Sequence, residues 1–266
     1  MNRIFAFSLL IFGALLFNTD KLFFKANQSF SIRSLFSIFK DTPSYSSLHR
    51  EKEVKKFTYL GKGHQSFVFE SEDKSHVLKF YHFPSHLRPC PWLKLREHPK
   101  KKYNIEKFKS SLESYAIALK HLKEESALKE MPDEEVLLID KGNQKYLVPL
   151  GSTFFLYQEK AERIFPKLQT VINDKNPLLA KELISSIFDL IVKRSQKGIL
   201  DLDPVLEKNY GFINNKAMHI DVGRFKKAKN INIKEEVTKL TVSLKEFLEE
   251  NSPELLLYYE KKINLL

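Results

Sequence analysis

GILDLDPVLEKNYGFINNKAMHIDVGRF, residues 198–225, places Asp201, Asp203 and Asn209 within nine residues, and Asp221 follows in an Asp-x-Gly. Taken singly, each is an ordinary turn or cap former. Together they are harder to read as turns alone. Short apolar runs, GFI at 211–213 and AMHID at 217–221, flank them and predict strands. Hard oxygen donors gathered between apolar elements suit a divalent cation, and a loop carboxylate suits the proton of a hydroxyl group.

Upstream of this stretch lie LGKGHQSFVFES (60–71) and HVLKFY (76–81). Apolar and polar residues alternate from 57 to 81 around a tight turn at EDKS, which predicts strands. Gly61 and Gly63, with Ser66 and Val68 after them, form G-x-G-x-x-S-x-V. Glycines let a phosphate approach a hairpin backbone and its N–H groups; a tight hairpin also uses glycine for its own sake. Lys79 lies in an apolar strand, where a lysine either faces solvent or is held for an anion. Prolines 84, 89, 91 and 99 break the segment 82–103. Ile105, Phe108, Leu112, Tyr115, Leu119 and Leu122 recur at helical spacing and predict a helix over 104–124, which carries Glu106 and Glu113. Strand-like runs return in 135–160. A long helix follows at 177–197, with Pro177 at its start and Gly198 past its end. Two further helices fit 233–249 and 253–264.

This order of motifs resembles the protein-kinase-like superfamily. GKGHQSFV resembles its nucleotide loop and VLK its V-A-I-K. GILDLDPVLEKN resembles G-I-x-H-R-D-x-x-x-x-N, and IDVG resembles D-F-G. The match covers about residues 55–225. It implies an α+β, two-lobed fold, with a β-rich N-lobe at about 55–160 and a reduced helical C-lobe at about 161–266. It also implies ATP and magnesium as cofactors. Gly61, Gly63, Ser66 and Val68 would cover the nucleotide. Lys79 would hold its phosphates, paired with Glu113. Asn209 and Asp221 would bind the metal. Asp203 would orient or deprotonate the acceptor hydroxyl. A hinge near Glu159–Ala161 would meet the adenine.

The chain departs from the family at several points. Ser66 replaces the third glycine, and Asp201 and Leu202 stand where the family has His and Arg. Asp203 to Asn209 is one residue longer than the family step, and a second alignment makes Asp201 the base. No A-P-E follows Asp221, and only about forty residues remain. The short second lobe resembles that of atypical kinases acting on small molecules or saccharides. The resemblance implies as acceptor a hydroxyl of a small molecule, a lipid or saccharide, or a protein. The alternative is a catalytically inactive, membrane-tethered binding or scaffold module of the same fold.

The net charge of +11 favours anionic partners, and the single cysteine, Cys90, excludes an intramolecular disulfide. Residues 4–17, IFAFSLLIFGALLF, would span about 21 Å as a helix, short of a roughly 30 Å hydrocarbon core. Residues 1–20 therefore read either as a signal peptide or as an uncleaved N-terminal hydrophobic helix that anchors the chain. Residues 21–54 read as a linker. Lys21, Lys25, Arg33 and Lys40 follow the apolar stretch, which favours a membrane-associated protein with its kinase-like domain in the cytoplasm; signal cleavage would instead give a secreted one. Residues 88–109 carry eight Lys or Arg against two Glu, interleaved with Trp92 and Tyr103. Beside an apolar N-terminus this composition favours an anionic membrane surface over nucleic acid. Cys90, His86 and His98 form no defensible metal set.

Overall fold

The computed structural model describes residues 32–37, 55–88, 100–130, 136–141 and 144–266. Its strands are β1 (Lys56–Lys62), β2 (Ser66–Ser71), β3 (His76–Tyr81), β4 (Leu128–Lys129), β5 (Val136–Lys141), β6 (Gln144–Pro149), β7 (Phe155–Glu159), β8 (Glu162–Arg163), β9 (Ile199–Asp201), β10 (Tyr210–Ile213), β11 (Lys216–His219) and β12 (Phe225–Lys227). Its α-helices are α1 (Lys101–His121), α2 (Ile164–Asn173), α3 (Pro177–Gln196), α4 (Leu206–Asn209), α5 (Ile233–Leu240), α6 (Val242–Asn251) and α7 (Pro253–Asn264). The chain is mixed α+β. Described residues before 98 and from 132 to 156 form one compact unit; those from 99 to 131 and from 157 onward form a second, which therefore includes α1.

In the first unit, alternation builds the sheet. β2 pairs antiparallel with β3, setting Phe67 opposite Phe80 and Phe69 opposite Leu78. All four side chains are buried on the inner face. The expected turn at 72–75 is present. Asp73 accepts hydrogen bonds from Ser71 Oγ (2.5 Å), Ser75 N (3.1 Å) and Ser75 Oγ (2.6 Å), which hold its carboxyl well below the usual carboxylate range. β1 pairs antiparallel with β2 and parallel with β5, and β5 runs antiparallel to β6. Within the stretch read as a linker, Ile32–Leu35 forms a 3₁₀ turn, with Leu35 and Phe36 buried and Ser34 O accepting the Phe83 N–H at 2.7 Å. The apolar residues 4–17 lie outside the described residues. Among the described residues no helix is long and apolar enough to cross a membrane.

In the second unit, α3 supplies the core. Ala180, Leu183, Ile184, Ile187, Phe188 and Ile191 form its buried stripe. Asn176 caps it, accepting the Leu179 N–H at 3.1 Å, and Gly198 ends it at φ 65°. Two features differ from the sequence expectation. Helix α2 is unforeseen because Pro166 breaks its pattern, but Pro166 falls in the first turn, where N–H groups have no intrahelical acceptor. The helix expected over 233–249 is two helices, split at buried Thr241. Thr241 Oγ1 donates back to Val237 O at 2.7 Å and lies 2.9 Å from Tyr259 Oη.

Candidate active site

Two small ladders in the second unit assemble the loops around Asp203. β9 pairs with β12, setting Asp201 opposite Phe225, and Leu202 N donates to Arg224 O at 3.0 Å. β10 and β11 form a hairpin whose turn residues, Asn214 and Asn215, have φ of 49° and 62°, a conformation that asparagine tolerates. The segments 201–209 and 219–225 are thereby brought side by side.

Asn209 joins them. Its Nδ2 donates to Asp203 O at 2.6 Å, and its main-chain O accepts the N–H groups of Ile220 (2.8 Å) and Asp221 (3.2 Å). The Asp203 peptide is held on its other side by Asp201 Oδ1, which accepts the Asp203 N–H at 3.0 Å. Asp221 Oδ1 accepts the Gly223 N–H at 3.0 Å. Asn209 is buried, while the side chains of Asp203 and Asp221 are exposed. Asn209 thus holds Asp203 and Asp221 together, and the two carboxylates are left exposed.

Asp201 has a different environment. It is buried, and its Oδ2 accepts the Tyr210 hydroxyl at 2.8 Å with Arg194 Nη1 at 3.6 Å. Burial pushes its carboxyl up, and Arg194 works against that shift. Tyr210 is fully buried, and desolvation followed by the Asp201 charge drives its phenol well above its usual value. His219, two residues before Asp221, is fully buried between Tyr210 (ring centroids 4.7 Å apart) and Phe225 (5.0 Å). Neither of its ring nitrogens has a hydrogen-bond partner, and burial, reinforced by Arg194, holds its pKa well below the usual value.

On α1, Glu113 and Glu106 are exposed; the buried stripe is Phe108, Ser111, Ser114 and Ala118. Ser114, which the sequence reading overlooked, reaches the Asp-x-Gly loop. Its Oγ donates to Val222 O at 2.5 Å and accepts the Phe225 N–H at 2.6 Å. Glu159 on β7 pairs with Lys129 at 2.6 Å. Arg194 and Tyr210 were also overlooked: a cation in the last turn of a helix ordinarily reads as a solvated partner of the helix dipole.

The remaining expected residues lie in the first unit. Lys79 is half-buried on β3, opposite Val68, and Ser66 is opposite Tyr81. Gly63 N donates to Ser66 O at 2.8 Å. Neither Gly61 nor Gly63 has positive φ. A Cβ on Gly61 would meet nothing within 4 Å, and one on Gly63 only ordinary contacts at 3.6 Å. The hairpin itself therefore requires neither glycine, and among the described residues no atom fills the place of a Cβ at Gly61.

The oxygen donors fit magnesium. Asn209 uses its nitrogen on Asp203, which leaves its carboxamide oxygen for a cation, and Asp221 adds a carboxylate. Among the described residues no group of three or more His, Cys, Asp or Glu gathers, so phosphate oxygens and water would complete the coordination. Cys90 and His98 lie outside the described residues.

No protein-family model and no curated protein matches the chain. Solved structures similar to it include the ROP18 kinase domain in complex with AMP-PNP and sucrose, which is 14% identical, with 68% of this chain and 58% of that one covered and a TM-score of 0.37. They also include WbdD, 17% identical over 76% of this chain and 44% of that one, TM-score 0.36. WbdD with the kinase inhibitor LY294002 is 15% identical over 77% and 45%, TM-score 0.38. The chain spans about half the length of these structures.

Proposed function

We propose that the chain is an atypical kinase that uses magnesium and ATP to phosphorylate a hydroxyl of a small molecule, a lipid or saccharide, or a protein. The observation that carries this reading is the clamp made by Asn209, which locks Asp203 and Asp221 together through both its side chain and its backbone. Magnesium on Asn209 and Asp221 would neutralise charge on the transferring phosphate. Asp203 orients the acceptor hydroxyl and receives its proton as the new O–P bond forms and the bond from the γ-phosphorus to its bridging oxygen breaks. Lys79 serves the nucleotide phosphates as a point charge. The open space at Gly61 supports a backbone approach to an anion. Such catalysis is positioning and charge neutralisation rather than covalent chemistry.

One observation favours the second reading, a non-catalytic kinase-like binding module. Helix α1 turns Ser114 toward the Asp-x-Gly loop and leaves exposed Glu113, the acid that the resemblance pairs with Lys79.

The test is the melting temperature of the full chain with and without millimolar Mg·ATP, beside Asp221→Ala. Ligand at a hundred times its Kd adds about 2.7 kcal/mol, or roughly 5–10 °C for a domain of this size. The expected result is a magnesium-dependent rise in the wild type that Asp221→Ala abolishes. A wild type that melts at the same temperature with and without Mg·ATP overturns the reading.

A further inference from the structure

Behind the Asp203 turn runs a buried line of polar contacts that the transfer step does not itself use. Arg194, in the last turn of α3, is wholly buried. Its Nη2 donates to Glu236 Oε2 on α5 at 2.7 Å, and its Nη1 donates to Tyr210 Oη at 2.7 Å. Tyr210 Oη in turn donates to Asp201 Oδ2 at 2.8 Å. Asp201 Oδ1 accepts the Asp203 N–H at 3.0 Å. The line is unbroken from the helix α5 to the backbone of Asp203.

A buried guanidinium is a poor way to stabilise a core, since apolar side chains of similar volume often do as well or better. What it supplies is direction. The two oxygens of Asp201 face different partners, so the orientation of its carboxylate is set by Tyr210 and Arg194 on one side and read by Asp203 on the other. With Asn209 Nδ2 on the Asp203 carbonyl, the Asp203 backbone is clamped at its N–H and at its C=O. Only its side chain is left exposed.

We propose that Arg194, Tyr210 and Asp201 are positioning residues, which aim Asp203 at the acceptor oxygen and tie that aim to Glu236 on α5. This rests on the kinase reading above, with Asp203 as the residue that meets the acceptor. Asp201 is then the support of the base and not the base itself. Phosphoryl transfer is sensitive to aim: a misplacement on the order of 1 Å costs about a hundredfold in rate.

The experiment uses the full chain, Tyr210→Phe and Glu236→Gln. Tyr210→Phe keeps the ring and breaks the line at one atom. Glu236→Gln loosens its far end, and should the first variant fail to fold, the second still decides. Four quantities are measured: amide hydrogen exchange at Asp203, the melting temperature, the Kd for Mg·ATP, and phosphate release from Mg·ATP with water as acceptor. The expected result for Tyr210→Phe is faster exchange at Asp203 and a tenfold to hundredfold lower turnover, with Kd within about twofold of wild type. Glu236→Gln should show the same pattern, more weakly. Unchanged exchange and turnover in the folded variants overturn the proposal alone. So does a parallel loss of stability, binding and turnover in both, which marks the line as packing. A wild type that neither binds nor hydrolyses Mg·ATP overturns the kinase reading, and the proposal falls with it.

Discussion

At the scale of single residues, burial decides the chemistry. His219 is enclosed by Tyr210 and Phe225 and is held neutral. In the first unit, His82 is held at about 4, first by burial and then by Lys62. Both have folded values below the ordinary histidine value. As pH falls below about 6.5, the unfolded chain takes up these protons first. Their contribution to stability is thus full above about 6.5 and is lost on acidification, at up to about 1.4 kcal/mol per pH unit for each residue. We expect stability to fall between pH 7 and 5. His219→Phe should remove about one proton's worth of that slope and leave the His82 share. Urea denaturation across this range measures it, and an unaltered slope would show that His219 is protonated in the folded chain. Asp201 works against this trend, because its raised value makes the folded chain the better proton acceptor at that group. Asp201 and Asp203 were alternatives in the sequence because spacing is all that a sequence offers. Burial separates them: Asp201 is enclosed with a phenol and a guanidinium, and Asp203 is open to solvent.

At the scale of elements, a few close approaches fix the loops that bear the site. Gly211 on β10 lies against β8, where an added Cβ would stand 2.7 Å from Glu162 O and 2.8 Å from Ala161 Cβ. Backbone cannot yield as a flexible side chain can, so Gly211→Ala should destabilise the second unit by about 1–3 kcal/mol. A shift of the urea midpoint reads this, and an unshifted midpoint would mean that β8 and β10 separate easily. Ser114 works similarly from α1. Its hydroxyl satisfies one carbonyl and one N–H of the Asp-x-Gly loop, and Ser114→Ala leaves both unpaired in a buried place. The expected cost is about 1–3 kcal/mol for each unsatisfied group, read by denaturation. These roles follow from α1 turning a serine stripe inward. Of the expected stripe Ile105, Phe108, Leu112, Tyr115, Leu119 and Leu122, Phe108 and Leu122 are buried, whereas Leu119 is 45% exposed. A small hydroxyl is favoured where the backbone of a facing loop must be both fed and accepted, and hydrophobic periodicity does not register that need.

At the scale of the whole molecule, the charge of +11 belongs to the chain irrespective of its fold. It predicts binding to vesicles that contain phosphatidylserine at low ionic strength. That binding should fall at least tenfold in 0.5 M salt, because screening shortens the reach of exposed charges. Sedimentation with vesicles tests it. Binding that persists in high salt and disappears when residues 1–20 are removed would assign the attachment to the apolar stretch instead. Most of the order of strands and helices, the turn at 72–75, the start of α3 at Pro177 and its stop at Gly198 were legible in the sequence alone, because each depends on neighbours in the chain; helix α2 and the break at Thr241 were not. The gathering of Asp203, Asn209 and Asp221 as candidates was legible too, through their motifs. Tertiary structure decided what those residues can do. Only packing buried Arg194 beside Asp201 and turned Ser114 toward a loop 108 residues further on, because each of these depends on how separate elements meet, and local preference carries no information about it.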